Sequence, residues 1–134
     1  MHWSEMDAFA HVNNAVYFRW FESARLAYFE TIGWPDYRRQ TGIGPILHST
    51  QARFRAPLTW PDEITASTWV SEIESDRFTM RYEVLSAKLG RVAAEGSGLI
   101  VAFDYKQQAK ALLPELIRAR ILALESRPDL GGGQ

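Results

Sequence analysis

The residues best equipped for chemistry stand close together near the start of the chain: Asp7, His11, Asn13 and Asn14, just ahead of a long aromatic-rich run. A carboxylate can attack a carbonyl carbon directly, or it can orient and deprotonate a water molecule. Asparagine is a good helix N-cap, so Asn13 or Asn14 marks the start of a helix. The first backbone N–H groups of a helix have no intrahelical partner, and the macrodipole places partial positive charge there. Such a tip can polarise a carbonyl and hold the oxyanion that forms when the carbonyl is attacked. Singly, each residue has a plainer reading. An aspartate ahead of a helix is more often a cap or turn residue than a catalyst, and a lone loop histidine is more often solvated or packed.

The elements that must position these residues can be read from periodicity. Residues 1–5 fit the end of a strand, 7–11 a loop and 15–32 a helix. That helix carries Tyr17, Phe18, Trp20, Phe21, Tyr28 and Phe29, with Glu22, Arg25 and Glu30 as its main charges, and is expected to be largely buried. Gly33 suits a C-terminal cap, and Pro35 opens a short helical turn running to about Gln40. Beyond Gly44 the period becomes alternating. Ile46, His48, Thr50, Ala52 and Phe54 share one face, with Leu47, Ser49, Gln51, Arg53 and Arg55 on the other. Three further strands are expected at 63–73, 78–87 and 91–105, in sequence as an antiparallel meander. Gly96 and Gly98 inside the last of them suggest a bulge or the close approach of another backbone or ligand. An amphipathic helix follows at 113–124, with Leu113, Leu116, Ile117, Ile121 and Leu124 along its stripe. The expected fold class is α+β, an antiparallel sheet around one long helix. Residues 1–126 make one domain and 127–134, with three glycines in a row, a flexible tail.

Composition narrows the function classes. A chain of 134 residues with 46% hydrophobic content supports one real core. Fifteen basic residues against sixteen acidic ones give no general attraction to nucleic acid or an anionic membrane surface. The absence of cysteine excludes disulfides, cysteine nucleophiles and thiolate metal sites, and it fits a reducing compartment. With neither a signal-peptide pattern at Met1-His2-Trp3-Ser4 nor an apolar run long enough for a bilayer, a cytoplasmic protein is expected.

The run W-S-E-M-D-A-F-A-H-V-N-N-A-V-Y-F-R-W-F-E-S-A-R, residues 3–25, resembles the opening signature of the hot-dog thioesterases of the 4-hydroxybenzoyl-CoA thioesterase type. It is most similar to the acyl-CoA thioesterase branch with an H-V-N-N segment. The resemblance covers about residues 1–106, including Phe54-Arg55-Ala56-Pro57 after the second strand. It implies a hot-dog fold, dimers or tetramers joined through the sheet, active sites between subunits, and hydrolysis of acyl-CoA without metal or redox cofactor. The catalytic aspartate of the family matches Asp7, and the helix-start amide that binds the thioester oxygen matches Asn14, acting through its backbone. His11 completes the candidate catalytic set, with support of the loop as its expected role. Two departures stand out. Ala10 replaces the usual glycine before H-V-N-N, and the plant acyl-carrier-protein thioesterases, which share the motif, have an asparagine where this chain has Phe9.

Tyr17, Phe21 and Trp69 are candidates for an acyl pocket, though at helical or strand spacing they are core residues first. Arg53, Arg55, Arg81, Lys88 and Arg91 are candidates for the phosphates of CoA, with Arg91 preferred because it opens the last strand. Glu22 on a buried helix needs a partner, and Arg25 three residues on supplies one. His48, on the face of Ile46 and Phe54, is expected as a core or interface histidine. The rival functions are an acyl-carrier-protein thioesterase and a non-catalytic acyl-CoA-binding module.

Overall fold

The structure is a computed structural model that describes residues 14–126. The strand expected at 1–5, the loop at 7–11, the Asn13 cap and the tail at 127–134 lie outside the described residues.

Helix α1 (Asn14–Thr31) covers the expected helical run, and Asn14, the first described residue, is already helical. Its buried residues are Val16, Tyr17, Phe21, Arg25, Tyr28 and Phe29, which recur along one face. The opposite face is open, with Phe18 and Leu26 37% and 53% exposed. The expectation of a largely buried helix is therefore corrected: one sheet covers one side of a helix, and among the described residues no second layer covers the other. Gly33, at φ 72°, ends the helix in the left-handed conformation that glycine tolerates, as expected. Helix α2 (Trp34–Thr41) follows with Pro35 in its first turn, and the fully buried Trp34 donates its indole N–H to the Ile43 carbonyl at 3.2 Å.

Five strands follow: β1 (Ile43–Phe54), β2 (Ile64–Ile73), β3 (Arg77–Ser86), β4 (Arg91–Asp104) and the short β5 (Ala109–Lys110). Their order is β1-β4-β3-β2, all antiparallel, with β5 paired to β4. Only β2 to β4 form the expected meander. β1 lies beyond β4, so the connection over residues 55–63, with Pro57 and Pro61, crosses the end of the sheet rather than making a hairpin. The two-residue β5 carries too little pattern to be seen in sequence.

Register shows a second difference. Ile46 and Leu47 pair with Val101 and Ile100, Ser49 and Thr50 with Leu99 and Gly98, and His48 is the extra residue of a bulge between them. One inserted residue reverses the faces, so Leu47 shares the inner side with Thr50, Ala52 and Phe54, while Ile46 turns outward. His48 is exposed in this chain, which rules out the core half of the expected core or interface place.

The inner face of β3 follows the predicted alternation, with Phe78, Met80, Tyr82 and Val84 all buried. Helix α1 lies over β2 and β3, and Phe21 stacks on Tyr82 with ring centroids 4.8 Å apart and planes 12° from parallel. The glycines of β4 create the room. A Cβ on Gly96 would stand 2.6 Å from Phe21 Cε2 and 2.7 Å from the Gln51 carbonyl oxygen; one on Gly98 would stand 2.8 Å from the Tyr82 hydroxyl. Close approach is the expected meaning of these glycines, and it is met by the protein's own atoms.

Helix α3 (Glu115–Glu125) starts one residue after Pro114. It buries Ile117 and Ile121 while Leu116 and Leu124 remain 47% and 45% exposed, a narrower stripe than expected. Near its end the Glu125 carboxylate accepts the Tyr28 hydroxyl at 2.7 Å and the Val70 N–H at 2.9 Å, tying α1 to the β2 edge beside the irregularity between Val70 and Glu72.

Candidate active site at the tip of helix α1

Asn14 is the first described residue of α1 and is exposed. Asp7 and His11 lie outside the described residues. What the structure places is the tip they precede and the side chains that hold it.

Tyr17, one turn into α1, is 2% exposed. Its ring meets Trp20 and Phe54 edge to face, at centroid distances of 5.3 and 4.9 Å. Burial pushes the phenol pKa above its ordinary value, and a hydrogen bond from the Leu58 backbone draws it partly back. Leu58, itself buried, belongs to the connection between β1 and β2. The same connection gathers cations. Arg91, at the start of β4, is exposed and directs a guanidinium N–H to the Arg55 carbonyl at 3.4 Å. Arg55 pairs with Glu95 at 2.6 Å, and Lys88 donates its ammonium to Thr59 at 2.8 Å. The connection thus meets the first turns of α1 through Phe54 on Tyr17, and Arg55, Lys88 and Arg91 gather along it.

Other candidates fall elsewhere. Trp69 and Arg81 are cross-strand neighbours that line, with Gln51, Arg53, Glu83, Glu95 and Ser97, a depression of about 510 Å³. Trp69 alternates with the buried Val70 and lies on the sheet face turned away from α1, so it does not join Tyr17 and Phe21. The expected ion pair between Glu22 and Arg25 exists at 4.0 Å with its burial reversed: the arginine side chain is 10% exposed and the glutamate 61%. The Arg25 guanidinium donates to the Tyr82 hydroxyl at 3.2 Å. Burial raises the Tyr82 pKa, with the Arg25 hydrogen bond and charge opposing. Sequence reasoning singled out neither Leu58 nor the inward turn of Arg25; the first had no motif, while the second follows from the stripe Tyr17, Phe21, Arg25, Tyr28. Among the described residues, no group of three or more His, Asp or Glu side chains is placed to hold a metal, and no helix is long and apolar enough to cross a membrane.

Comparison with known proteins agrees with this architecture. The profile of the thioesterase-like superfamily matches residues 1–121. A thioesterase from Thermus thermophilus, crystallised with coenzyme A and Zn, is 30% identical with a TM-score of 0.83, covering 96% of this chain and 91% of that one. A thioesterase-superfamily protein from Jannaschia sp. CCS1 is 24% identical with a TM-score of 0.84, covering 96% of this chain and 80% of that one. The DHNA-CoA thioesterase of Staphylococcus aureus is 23% identical with a TM-score of 0.77, covering 95% of this chain and 91% of that one. The last two show the shared hot-dog fold. No curated protein matches the chain.

Proposed function

The chain belongs to the thioesterase-like superfamily and is a thioester hydrolase, and from that premise we propose that it converts an acyl-CoA to a free acid and CoA. Asp7 supplies the carboxylate, the backbone N–H of Asn14 receives the thioester oxygen, and His11 supports the loop between them. The observation that carries the reading is the exposed start of α1 with Arg55, Lys88 and Arg91 around the connection beside it. A helix tip offers oriented N–H groups to a developing oxyanion, and nearby guanidinium groups suit the phosphates of CoA. Arg91 is the preferred phosphate contact, and the Tyr17 ring forms the wall behind the reacting carbonyl. The Thermus thermophilus relative was crystallised with coenzyme A, which supports the same substrate class.

Two routes fit these parts. In one, an Asp7 oxygen bonds to the carbonyl carbon, the C–S bond breaks, CoA leaves as thiolate, and water hydrolyses the mixed anhydride. In the other, Asp7 takes a proton from the water that attacks. Both suit a thioester, because a thiolate leaves without a strong general acid. A second copy of the chain, as homodimer or homotetramer, is proposed to complete the site. The support is β1, a twelve-residue strand at the end of the described sheet with Ile46, Leu47 and Phe54 exposed. The proposed setting is the cytoplasm, consistent with a cysteine-free chain.

The test is Asp7→Asn assayed on acyl-CoAs of graded chain length and on aryl-CoAs. Loss of at least about a hundredfold in kcat is expected of a group acting in proton transfer; a folded variant that keeps most of its rate would refute the assignment. Single turnover in oxygen-18 water separates the routes, since label enters Asp7 only when it is the nucleophile.

A further inference from the structure

We infer that Asp62 is a positioning residue for substrate binding: by clamping the turn between β3 and β4 to the connection between β1 and β2, it fixes Lys88 and Arg91 as one cradle for the phosphates of CoA. The inference rests on the acyl-CoA hydrolase reading proposed above.

Asp62 belongs to the connection between β1 and β2 and is half-buried. Its carboxylate reaches across to the turn that joins β3 to β4. One oxygen accepts the Ser86 hydroxyl at 2.5 Å, and the other accepts the backbone N–H of Lys88 at 2.9 Å. Ser86 is 2% exposed, and its hydroxyl oxygen accepts the Leu89 N–H at 3.0 Å. Backbone bonds close the arrangement. The Ala87 N–H donates to the Glu63 carbonyl at 2.9 Å, and the Gly90 N–H donates to the Ser86 carbonyl at 2.8 Å. Residues 87–90 are all exposed. A turn with so little buried surface is held by its hydrogen bonds, and Asp62 supplies the side-chain ones from the connection.

The way Asp62 grips the turn leaves its cations available. It takes the backbone of Lys88, while the ammonium donates elsewhere, to Thr59 Oγ1 at 2.8 Å. An ammonium has three donors, so that bond does not exhaust it. Arg91 pairs in register with Ser86 across the same turn and directs one N–H to the Arg55 carbonyl at 3.4 Å. Among the described residues neither Lys88 nor Arg91 has a carboxylate within ion-pair distance, whereas Arg55 is matched by Glu95. Two unmatched cations on one clamped turn suit a phosphate group. Because the turn is already ordered, less of the attraction is lost to ordering it when the ligand binds.

The test carries one acyl group on two thiols: CoA, and N-acetylcysteamine, which presents the same thioester without phosphates. On the acyl-CoA, Asp62→Ala is expected to raise KM roughly tenfold, the scale of one lost hydrogen bond to a charged group. Its kcat should stay within about twofold, since only binding shared by ground and transition states is removed. On the N-acetylcysteamine thioester both constants should stay close to those of the parent. Lys88→Gln should raise the acyl-CoA KM in the parent and add little in Asp62→Ala, because the ammonium is already misplaced there. A purely structural role would reduce turnover of both thioesters alike. That outcome overturns the inference, and so does an unchanged acyl-CoA KM. Should Asp62→Ala fail to fold, Asp62→Asn keeps the shape and one acceptor; it should raise the acyl-CoA KM about threefold, a partial loss of the same contact, and no rise again refutes the role. The two readings fail separately. A parent that hydrolyses neither thioester defeats the hydrolase reading, while an active parent whose acyl-CoA KM survives Asp62→Ala defeats only the positioning role.

Discussion

Replacing Gly96 with alanine tests how closely α1 is packed on the sheet. The added methyl would lie 2.6 and 3.0 Å from two ring carbons of Phe21 and 2.7 Å from the carbonyl oxygen of Gln51. The ring can tilt, but it is stacked on Tyr82, and the carbonyl belongs to the backbone of β1 paired to β4 at this level. Neither neighbour moves without disturbing a stack or a ladder. Overpacking of this kind costs about 1–3 kcal/mol, and relief of glycine's unfolded-state entropy returns only about 0.4–1 kcal/mol. A net loss of about 1–2 kcal/mol is expected. For a domain of this length the unfolding entropy converts that into a fall in Tm of about 4–7 °C. Thermal unfolding followed by circular dichroism measures it, with urea titration as a check on constant m-value. Gly98→Ala should cost less, because its nearest neighbours are the hydroxyl of Tyr82 and a methyl of Leu47, both side-chain ends. Combining Gly96→Ala with Phe21→Leu should cost less than the sum of the two, since part of the clash is with the ring removed. An unchanged or higher Tm for Gly96→Ala, or strict additivity with Phe21→Leu, would refute this account of the packing.

Buried polar groups lead to two further outcomes. Tyr17, Tyr28 and Tyr82 all have pKa values raised chiefly by burial, with the Glu125 hydrogen bond and charge adding to the effect at Tyr28. The unfolded chain therefore releases these protons first as pH rises past about 10. The stability they contribute is complete below that pH and is lost as pH climbs through the folded values. Phenolate absorbance of the native protein should lag behind that of the denatured chain, and coincident curves would contradict the burial. Glu125→Ala leaves the Val70 N–H and the Tyr28 hydroxyl without their acceptor and should cost about 2 kcal/mol in urea unfolding; a loss below about 0.5 kcal/mol would mean that water replaces the carboxylate.

Much of the fold can be read from the sequence because its elements obey one period each. The alternation of Phe78, Met80, Tyr82 and Val84 against Thr79, Arg81 and Glu83 is uninterrupted, and the strand it predicts is the strand found. The faces of β1 cannot be read in the same way. Its inserted residue, His48, is neither glycine nor proline, and nothing in its type marks the bulge that exchanges the faces of Ile46 and Leu47. Strand order is hidden for a different reason. Periodicity says which residues face a core but not which strand lies beside which, and the prolines between β1 and β2 suit a hairpin loop as well as a crossing connection. Pattern also overstates the breadth of the buried surface on α1, because Phe18 and Leu26 are apolar whether or not this chain alone covers them.

At the site, the charges on α1 show what pattern can and cannot decide. Glu22 and Arg25 are spaced for a mutual pair, and the spacing is the same whichever of them points inward. Position on the stripe breaks the tie: Arg25 continues the series Tyr17, Phe21 and leads to Tyr28, while Glu22 sits with Phe18 and Leu26 on the open face. The choice has an electrostatic consequence. Helical side chains lean toward the N-terminus, and the buried guanidinium meets Tyr82, which stacks on Phe21 one turn before it along α1. Its charge there acts in the same sense as the positive end of the helix dipole, and a medium poorer than water screens it weakly. A carboxylate buried at that point would have opposed the negative charge that a thioester oxygen acquires under attack. With the arginine inside and the glutamate in solvent, the buried charge on α1 is positive, the sign that suits the oxyanion role proposed for its tip.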